Sequence, residues 1–478
     1  MTTTPGARDD PALRILLWLV AVGFFMQTLD ATIVNTALPA MAASLGESPL
    51  RMQSVVVAYS LTMAMLIPAS GWVADRFGMR RVYVAAIVLF VIGSVLCAVS
   101  PSLSALVAAR VVQGAGGALL LPVGRLVVLK TFPRERFLQA MSFVAIPGLI
   151  GPLIGPTLGG WLVEAVSWHW IFLINVPVGI VGALATLRYM PTPPATPVAR
   201  FDLAGYLLLA FGMVAISLGL DGLSGLGLRQ AAVLVLMIFG LASLTAYWLH
   251  ALRRPDPLFS PRLFQVGSLR IGLLGNLFSR LGSSCMPFLI PLLLQLTMGY
   301  SPAQAGMMML PVAIASMSVK RVTTPLITRY GYRRVLVVNT VLIGLTMVSF
   351  ALSAPEQPLV WRVLQLALLG AVNSMQFTAM NTLTLKDLTP DAASSGNSLL
   401  SMVQMLAMGM GVAAAGAVLA AFTEVFGHGE AQALPAFRAT FACMALITIA
   451  SAGIFWQLSP QDSRVGHGPQ ASDGETSV

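Results

Sequence analysis

Long, uninterrupted apolar runs are the feature that most constrains how this chain can fold. About fourteen of them follow one another, separated by short polar or basic connections. A helix needs roughly 20 apolar residues to cross a bilayer, whereas a strand of a membrane barrel alternates in polarity over about ten residues. The runs therefore predict an all-α polytopic membrane protein. They lie near 14–39, 52–74, 82–100, 103–128, 137–163, 169–190, 203–221, 230–250, 269–296, 303–327, 334–353, 359–385, 396–422 and 437–457.

Charge and cysteine usage support a lipid environment and exclude other classes of partner. Only 10% of the 478 residues are charged, against about 25% in soluble domains. The net charge of +10 comes from short clusters between the runs, which argues against a nucleic-acid partner and for the lipid bilayer. Cys97, Cys285 and Cys443 lie far apart in apolar runs, so neither a disulfide nor a metal site is expected. The first run is too long for a signal peptide and holds Asp30, which predicts a retained span.

Basic residues in the connections predict the orientation. With an interior N-terminus, nineteen Lys and Arg residues fall in inside segments and three in outside segments. Since cytoplasmic loops carry the excess of Lys and Arg, both termini are predicted to be cytoplasmic.

The runs group into two halves with an insertion. The proline-rich stretch 191–197 and the basic stretch 252–270 break the pattern and enclose two extra spans, and Asp202 is expected to cap the first of them. The predicted organisation is a cytoplasmic tail 1–13, a six-helix bundle 14–190, a linker with two extra helices and a basic loop 191–268, a second six-helix bundle 269–457, and a disordered cytoplasmic tail 458–478.

The two halves repeat weakly. Arg76–Val82 matches Arg329–Val335 at an offset of 253 residues, and Arg110–Gln113 matches Arg362–Gln365 at 252. Internal repeats are typical of transporters whose halves rock around a site near the bilayer midplane.

Five motifs, in chain order, resemble those of the fourteen-span drug:proton antiporters of the major facilitator superfamily. The resemblance extends from the first span to the last. It implies the major facilitator fold, two six-helix bundles plus two inserted helices, in a bacterial inner membrane. It also implies secondary active export of small molecules in exchange for protons, with the proton gradient as energy source and no cofactor. The motifs are Leu29–Pro39, Gly71–Arg81, Arg110–Gly117, Gly148–Gly160 and Trp168–Pro177.

Asp30 is the only acidic residue well inside a predicted span, and Arg110 lies at a similar depth in span four. A charge at the bilayer centre costs about 2.5–3.5 kcal/mol on insertion scales, so it indicates a function or a partner. We expect the two to pair. One interpretation makes Asp30 the residue that loads and releases the transported proton; the other is a permanent structural ion pair.

The loop after span two is predicted to act as a gate latch. Asp75 is expected to contact either the loop arginines or the positive N-terminal end of span thirteen, near residues 394–396. The second copy of the loop has Thr328 in its place, so a symmetric latch is not expected. The alternative is that the arginines only anchor the topology. The motif residues are Gly71, Asp75, Arg76, Gly78, Arg80 and Arg81.

Span five carries glycines every three or four residues, which give one smooth helix face, and prolines that remove backbone donors. The interpretations are a hinge and seal between the halves, or tight packing alone. These residues are Gly148, Gly151, Pro152, Gly155, Pro156, Gly159 and Gly160.

Arg280, deep in span nine, is predicted to contact the substrate or the gate. With one intramembrane carboxylate against several cations, the path suits a neutral, zwitterionic or anionic solute. Other polar residues could line the path or serve as interhelical hydrogen-bonding groups. These are Gln27, Asn35, Gln113, Asn276, Gln376 and Asn381.

The rival functions are an exporter of a specific organic anion or metal chelate, an uncoupled facilitator, and a membrane enzyme or sensor. The chain has no G-x-x-x-x-G-K-[ST] loop for ATP, and no nucleophile with a base or pair of catalytic carboxylates. A periplasmic adaptor or outer-membrane channel is not indicated by the sequence.

Overall fold

A computed structural model describes residues 11–132, 134–192, 200–222, 230–427 and 430–459. Three predicted segments lie mainly outside these ranges: the N-terminal tail, the proline-rich stretch and the C-terminal tail. Within them all regular structure is helical, which confirms the all-α fold.

The first half of the chain forms a bundle in which the fourth predicted span packs on the second and third, and the first packs on the fifth. The helix Pro11–Leu45 packs along the fifth span, and the third span packs between the fourth and the sixth. The sixth predicted span is divided at Ile174. The helices are α1 (Pro11–Leu45), α2 (Gln53–Phe77), α3 (Met79–Ala98), α4 (Leu103–Thr131), α5 (Arg134–Ala165), α6 (Trp170–Leu173) and α7 (Asn175–Tyr189), with a 3-10 turn at Pro49–Met52.

The inserted pair consists of α8 (Leu203–Gly222) and α9 (Gln230–Arg253), which pack on each other. A connection with a 3-10 turn at Pro261–Gln265 then leads into the second bundle.

The second bundle has more breaks than the first. Its helices are α10 (Gly267–Ser283), α11 (Met286–Thr297), α12 (Pro302–Met307), α13 (Leu310–Ser318), α14 (Lys320–Ala351), α15 (Leu359–Leu385), α16 (Pro390–Phe426) and α17 (Glu430–Trp456).

The ninth and tenth predicted spans are helical but contain breaks. Span nine is α10 followed by α11, and span ten is α12, α13 and the start of α14. A proline stands at the first or second position of α11, α12 and α13. Because proline has no N–H and a fixed φ, it fits the first turn of a helix, where the N–H has no partner within the helix.

Each of the fourteen predicted runs coincides with helix, and twelve helical stretches in the described ranges are long and apolar enough to cross a membrane. The chain is thus a multi-pass membrane protein. The bundles meet where α2 packs on α16 and α5 on α12, and α8 joins the first of these contacts.

The internal repeat has a structural counterpart at two glycines. Gly78, between α2 and α3, has a φ of 89°, and Gly331, at the kink inside α14, has a φ of 77°. Glycine adopts this region without the strain that a Cβ would add. The matching loop motifs therefore make the same sharp turn in both bundles.

Candidate functional site

A buried polar cluster surrounds Asp30 near the middle of the first bundle. Arg110 Nη1 donates to Asp30 Oδ2 at 2.6 Å, and the other carboxylate oxygen accepts from Gln113 Nε2 at 2.7 Å and from Asn175 Nδ2 at 3.2 Å. Asp30 and Arg110 are each 1% exposed. The predicted pair therefore forms, as a neutral ion pair that water does not reach in this conformation.

Three helices hold the guanidinium of this pair in place. Arg110 Nη1 also donates to Gln113 Oε1 at 2.6 Å, its Nε to the carbonyl of Val55 at 3.3 Å, and its charge lies 4.1 Å from the centre of the Tyr59 ring. Gln113 in turn donates to Ser94 Oγ at 2.8 Å. Arg110 thus has partners on α1, α2 and α4, and through Gln113 the cluster reaches α3.

Sequence reasoning missed part of this cluster. Gln113, a candidate for the substrate path, lies beside Asp30, because it follows Arg110 by three positions and shares its helix face. Asn175 belongs to the motif Trp168–Pro177, which is the only sequence signal that could have pointed to it. Ser94 and Tyr59 carry no such signal.

The glycine face of α5 packs against α1, the helix that carries Asp30. A Cβ at Gly155 would overlap the hydroxyl of Thr32, and one at Gly159 would overlap the carbonyl oxygen of Ile33. Gly148 and Gly151 face Phe24 and Thr28 in the same way. These glycines therefore let the α5 backbone approach α1, so that a movement of α5 would act directly on the helix of Asp30.

The last glycine of the motif faces the opposite bundle. A Cβ at Gly160 would overlap the carbonyl oxygen of Pro302 in α12, and one at Gly306 would overlap that of Pro156. Thr157 Oγ1 donates to the carbonyl of Gly306 at 3.1 Å. We call this close approach of the two bundles the α5–α12 contact.

Further hydrogen bonds close the same end of the molecule. Glu164 Oε2 accepts from Ser301 Oγ at 2.7 Å and from the N–H of Ala303 at 3.2 Å. Gln295 Nε2 donates to the carbonyl of Thr36 at 3.0 Å. The end that carries residues 46–52, 166–169 and 298–301 is therefore sealed between the bundles.

Asp221, near the same end, is a buried carboxylate that the sequence analysis passed over because it ends the seventh predicted span. It is 3% exposed and accepts from Gln53 Nε2 at 3.0 Å. The Gln53 side chain lies against Gly416 of α16, where a Cβ would collide with it. Residues of α2, α8 and α16 thus meet at one point.

The loop motif at the opposite end has a different contact from the predicted ones. Asp75 accepts from Lys130 Nζ at 2.8 Å, and Lys130 belongs to α4 of the same bundle. Among the described residues Asp75 pairs neither with the loop arginines nor with residues 394–396. Gly71 faces open space, Arg76 and Arg81 are exposed, and Arg80 is partly exposed.

A second polar network surrounds Arg280 in the other bundle. Arg280 Nε donates to Asn276 Oδ1 at 3.2 Å, and its guanidinium lies 4.9 Å from the Phe377 ring centre. Gln404 Nε2, which the sequence analysis missed, donates to Asn381 at 2.6 Å and to Asn276 at 3.4 Å. In the described part of the chain no carboxylate oxygen lies within 4.0 Å of Arg280.

The remaining path candidates do not join either network. Gln376 is buried between Asn339 and Thr340, to which it is hydrogen-bonded at 2.8 and 2.7 Å, so it links α15 to α14. Gln27 and Asn35 are buried, and their side-chain oxygens have no hydrogen-bond partner among the described residues. No group of three His, Cys, Asp or Glu in those ranges could hold a metal ion.

Comparison with known proteins agrees with this architecture. The family model of the Major Facilitator Superfamily matches residues 20–412. The "Putative multidrug resistance protein MdtD" of Serratia proteamaculans is 53% identical over 432 residues, 90% of each chain. The protein of that name from Yersinia enterocolitica is 50% identical over 465 residues, 96% of this chain and 98% of the relative.

A solved structure shows the same fold at low sequence identity. A POT family transporter, crystallised with a thioalcohol-conjugated peptide, superposes with a TM-score of 0.70 over 95% of this chain and 97% of its own, at 16% identity. With the family model covering most of the length, the chain belongs to the major facilitator superfamily and is a membrane transporter.

Proposed function

We propose that the protein exports small molecules in exchange for protons by alternating access, with Asp30 as the proton-binding residue. The observation that carries this proposal is the buried ion pair of Asp30 with Arg110 at 2.6 Å. A carboxylate inside a span is costly, and this one is placed where several helices of one bundle meet. The charge state of Asp30 can therefore both depend on the packing of these helices and alter it.

The coupling follows from the charge balance of the cluster. When Asp30 is ionised, the pair is neutral and both groups have partners. A proton on Asp30 leaves the buried Arg110 without its counter-charge, which costs about 3–5 kcal/mol for a buried pair. Protonation therefore favours an arrangement in which Arg110 gains water or another anion, and this requires the helices around it to move.

The α5–α12 contact supplies the gate in this scheme. The excess of basic residues assigns the Asp75 loop to the cytoplasm and the sealed end to the outside of a bacterial inner membrane, with both termini inside. In that orientation the conformation is closed to the outside. Because α5 packs on both α1 and α12, opening the seal would shift the helix that carries Asp30.

Two observations bear on the class of substrate, and each favours a different candidate. The curated relatives carry the name of a multidrug resistance protein, which favours an exporter of diverse small molecules. Arg280 lies beside Asn276 and has no carboxylate oxygen within 4.0 Å among the described residues. This favours a second candidate function: export of a specific organic anion or an anionic metal chelate.

The test begins by identifying an exported solute. Metabolite profiles of cells with and without the protein supply one, and its uptake into everted vesicles is then followed together with the intravesicular pH. We expect the wild type to accumulate the solute only with a proton gradient and to release protons when the solute is added. The Asp30→Asn variant should lose both, while Asp256→Asn, which removes an exposed carboxylate of the α9–α10 loop, should keep both.

Two results would contradict the proposal. Undiminished proton-driven accumulation by Asp30→Asn would remove Asp30 from the mechanism. Downhill flux without any dependence on the gradient in the wild type would make the protein a facilitator.

A further inference from the structure

The connection between the inserted pair and the second bundle encloses a basic cavity at the end of α9. Its volume is about 810 Å³, and it is formed by the end of α9, the following loop and the start of α10. Cavities of roughly 300–1,000 Å³ hold small ligands. We call it the arginine cavity, after Arg254, Arg262 and Arg270, which line it together with Trp248, Leu252 and Phe264.

The charge of this cavity is not balanced from within. Arg254 lies 3.5 Å from Asp202 Oδ1 and donates to the carbonyl of Asp256. Arg262 and Arg270 have no carboxylate oxygen within 4.0 Å in the ranges that the structure describes. These two exposed arginines thus line a common space without a carboxylate partner in those ranges, which favours an anionic ligand.

The loop that forms the cavity is held in place before any ligand binds. The N–H of Leu258 donates to Asp202 Oδ2 at 3.2 Å, and the N–H of Phe259 donates to the Tyr247 hydroxyl at 3.1 Å. Asp202 directly precedes α8, and Tyr247 lies on α9. The arginines are therefore displayed by a fixed segment, which lowers the entropic cost of binding.

The other side of the cavity is apolar and faces outward from the helix bundle. Trp248 is 41% and Leu252 58% exposed on α9, a helix that qualifies as a membrane span. The Trp248 ring meets the Phe264 ring edge-on, with centres 5.3 Å apart. Tryptophan is enriched where spans meet the headgroup region, so this side is open to lipid.

We propose that the arginine cavity binds the phosphate of an anionic phospholipid. Arg262 and Arg270 donate to the phosphate oxygens, because guanidinium groups match phosphate geometry, and an acyl chain lies along Trp248 and Leu252. A lipid is favoured over a soluble phosphate because the cavity joins charge to lipid-exposed apolar surface. The site lies outside the Asp30 and Arg280 networks and does not depend on the transported solute.

The experiment uses the purified full-length protein in a neutral detergent. Binding of phosphatidylglycerol, phosphatidylcholine and inorganic phosphate is measured by native mass spectrometry and by the shift in thermal unfolding temperature. We expect phosphatidylglycerol to bind with higher affinity than phosphatidylcholine. In Arg262→Gln/Arg270→Gln its affinity should fall roughly 30-fold, since each arginine near an anionic headgroup contributes about fivefold.

The matched control removes two charges elsewhere. Arg188→Gln/Arg334→Gln changes exposed arginines on α7 and α14 that do not line the cavity, and it should bind phosphatidylglycerol like the wild type. A parallel variant, Leu252→Gln, should lower the affinity for phosphatidylglycerol without changing the binding of inorganic phosphate.

Three results would overturn the proposal. One is equal phosphatidylglycerol affinity in Arg262→Gln/Arg270→Gln and the wild type, both eluting as monodisperse folded protein. Another is an equal loss in the control, which would indicate nonspecific charge attraction. The third is full displacement of the lipid by millimolar inorganic phosphate, which would assign the cavity to a soluble anion.

Discussion

Asp30 and Arg110 are separated by 80 positions in the chain and yet form a direct ion pair at 2.6 Å, with both side chains removed from solvent. Such a pair can be weak as a source of stability and still be expensive to break, because loss of one member leaves a buried charge without a partner. This asymmetry can be measured as the coupling energy between the two residues.

The first prediction concerns the stability of this pair. Arg110→Gln should destabilise the protein by about 3–5 kcal/mol, since it strands the Asp30 carboxylate, and adding Asp30→Asn should restore most of that loss. Thermal unfolding of the purified variants in detergent measures both effects. Arg362→Gln is the control, because this counterpart in the repeat bonds to the Tyr300 hydroxyl and to carbonyl groups. Its combination with Asp30→Asn should be additive; additivity in both double variants would mean that the ion pair has no coupling energy.

The second prediction concerns the seal. Gly160→Val places methyl groups against the carbonyl of Pro302 and should disfavour the closed form by about 1–3 kcal/mol, a shift of roughly tenfold or more. In a Gln295→Cys/Cys443→Ser background, the thiol introduced by Gln295→Cys should then react correspondingly faster with a membrane-impermeant reagent when Gly160→Val is added.

The control for the seal is Gly453→Val, because a Cβ at Gly453 meets nothing within 4 Å. Unchanged labelling in Gly160→Val, in protein that is folded and inserted, would show that the α5–α12 contact does not gate access.

The third prediction concerns Asp221, which joins the inserted pair to the junction of the two bundles. Asp221→Leu removes the acceptor for Gln53 in a buried place and should cost about 1–3 kcal/mol. Asp221→Asn keeps an acceptor oxygen and should stay near the wild type. Denaturation of both variants in detergent measures the difference, and equal stabilities would mean that the hydrogen bond at 3.0 Å does not hold α8 to α2.

The fourth prediction separates the two substrate classes. If Arg280 binds an anionic group, Arg280→Gln should raise KM for the exported solute by about 10- to 100-fold, since a hydrogen bond to a charged group contributes about 1.5–3 kcal/mol. Arg280→Lys should recover part of the loss, and Arg321→Gln, at an exposed position of α14, should have no effect. Full export by Arg280→Gln at an unchanged protein level would exclude a role in substrate binding.

The fifth prediction is a pH dependence of the clamp between α8 and the α9–α10 loop. Burial raises the pKa of Asp202, but hydrogen bonds from His250 and from the N–H groups of Gly205 and Leu258 outweigh it and hold that pKa below its usual value. The folded protein therefore binds this proton less tightly than the unfolded chain. The stabilisation is complete above the unfolded pKa near 3.9 and is lost as the pH falls through the lower folded value.

The thermal unfolding temperature of Asp202→Asn should accordingly lie below that of the wild type at about pH 6, and the gap should narrow towards about pH 3. Asp256→Asn, which removes an exposed carboxylate of the same loop, should show no such narrowing. A constant gap at all pH values would mean that the carboxylate charge does not stabilise the clamp.

The sequence predicted the spans and the family because both can be recognised from local features, namely apolar runs and short motifs. Apolar runs of about 20 residues are dictated by bilayer thickness, and Gly78 and Gly331 stand where the loop motif needs a positive φ. It also predicted that Asp30 pairs with Arg110, since an acid and a base at similar depth have few other partners in lipid. The breaks inside the ninth and tenth spans were not predicted, because hydropathy alone does not show where a proline begins a new helix inside an apolar run.

Only the tertiary structure shows which polar side chains form hydrogen bonds with one another. Serine, asparagine and glutamine occur on most of the spans, and their depth can be estimated from the sequence, but the direction each faces depends on how the helices rotate and pack. That packing selected Ser94, Gln113 and Asn175 for the Asp30 cluster, left Gln376 as a link between helices, and paired Asp75 with Lys130. The sequence alone thus determined that a charge lies in the membrane and that Arg110 is its partner. Helix packing determined which neutral groups complete its hydrogen bonds, because these contacts depend on distances of a few ångströms between residues that are far apart in the chain.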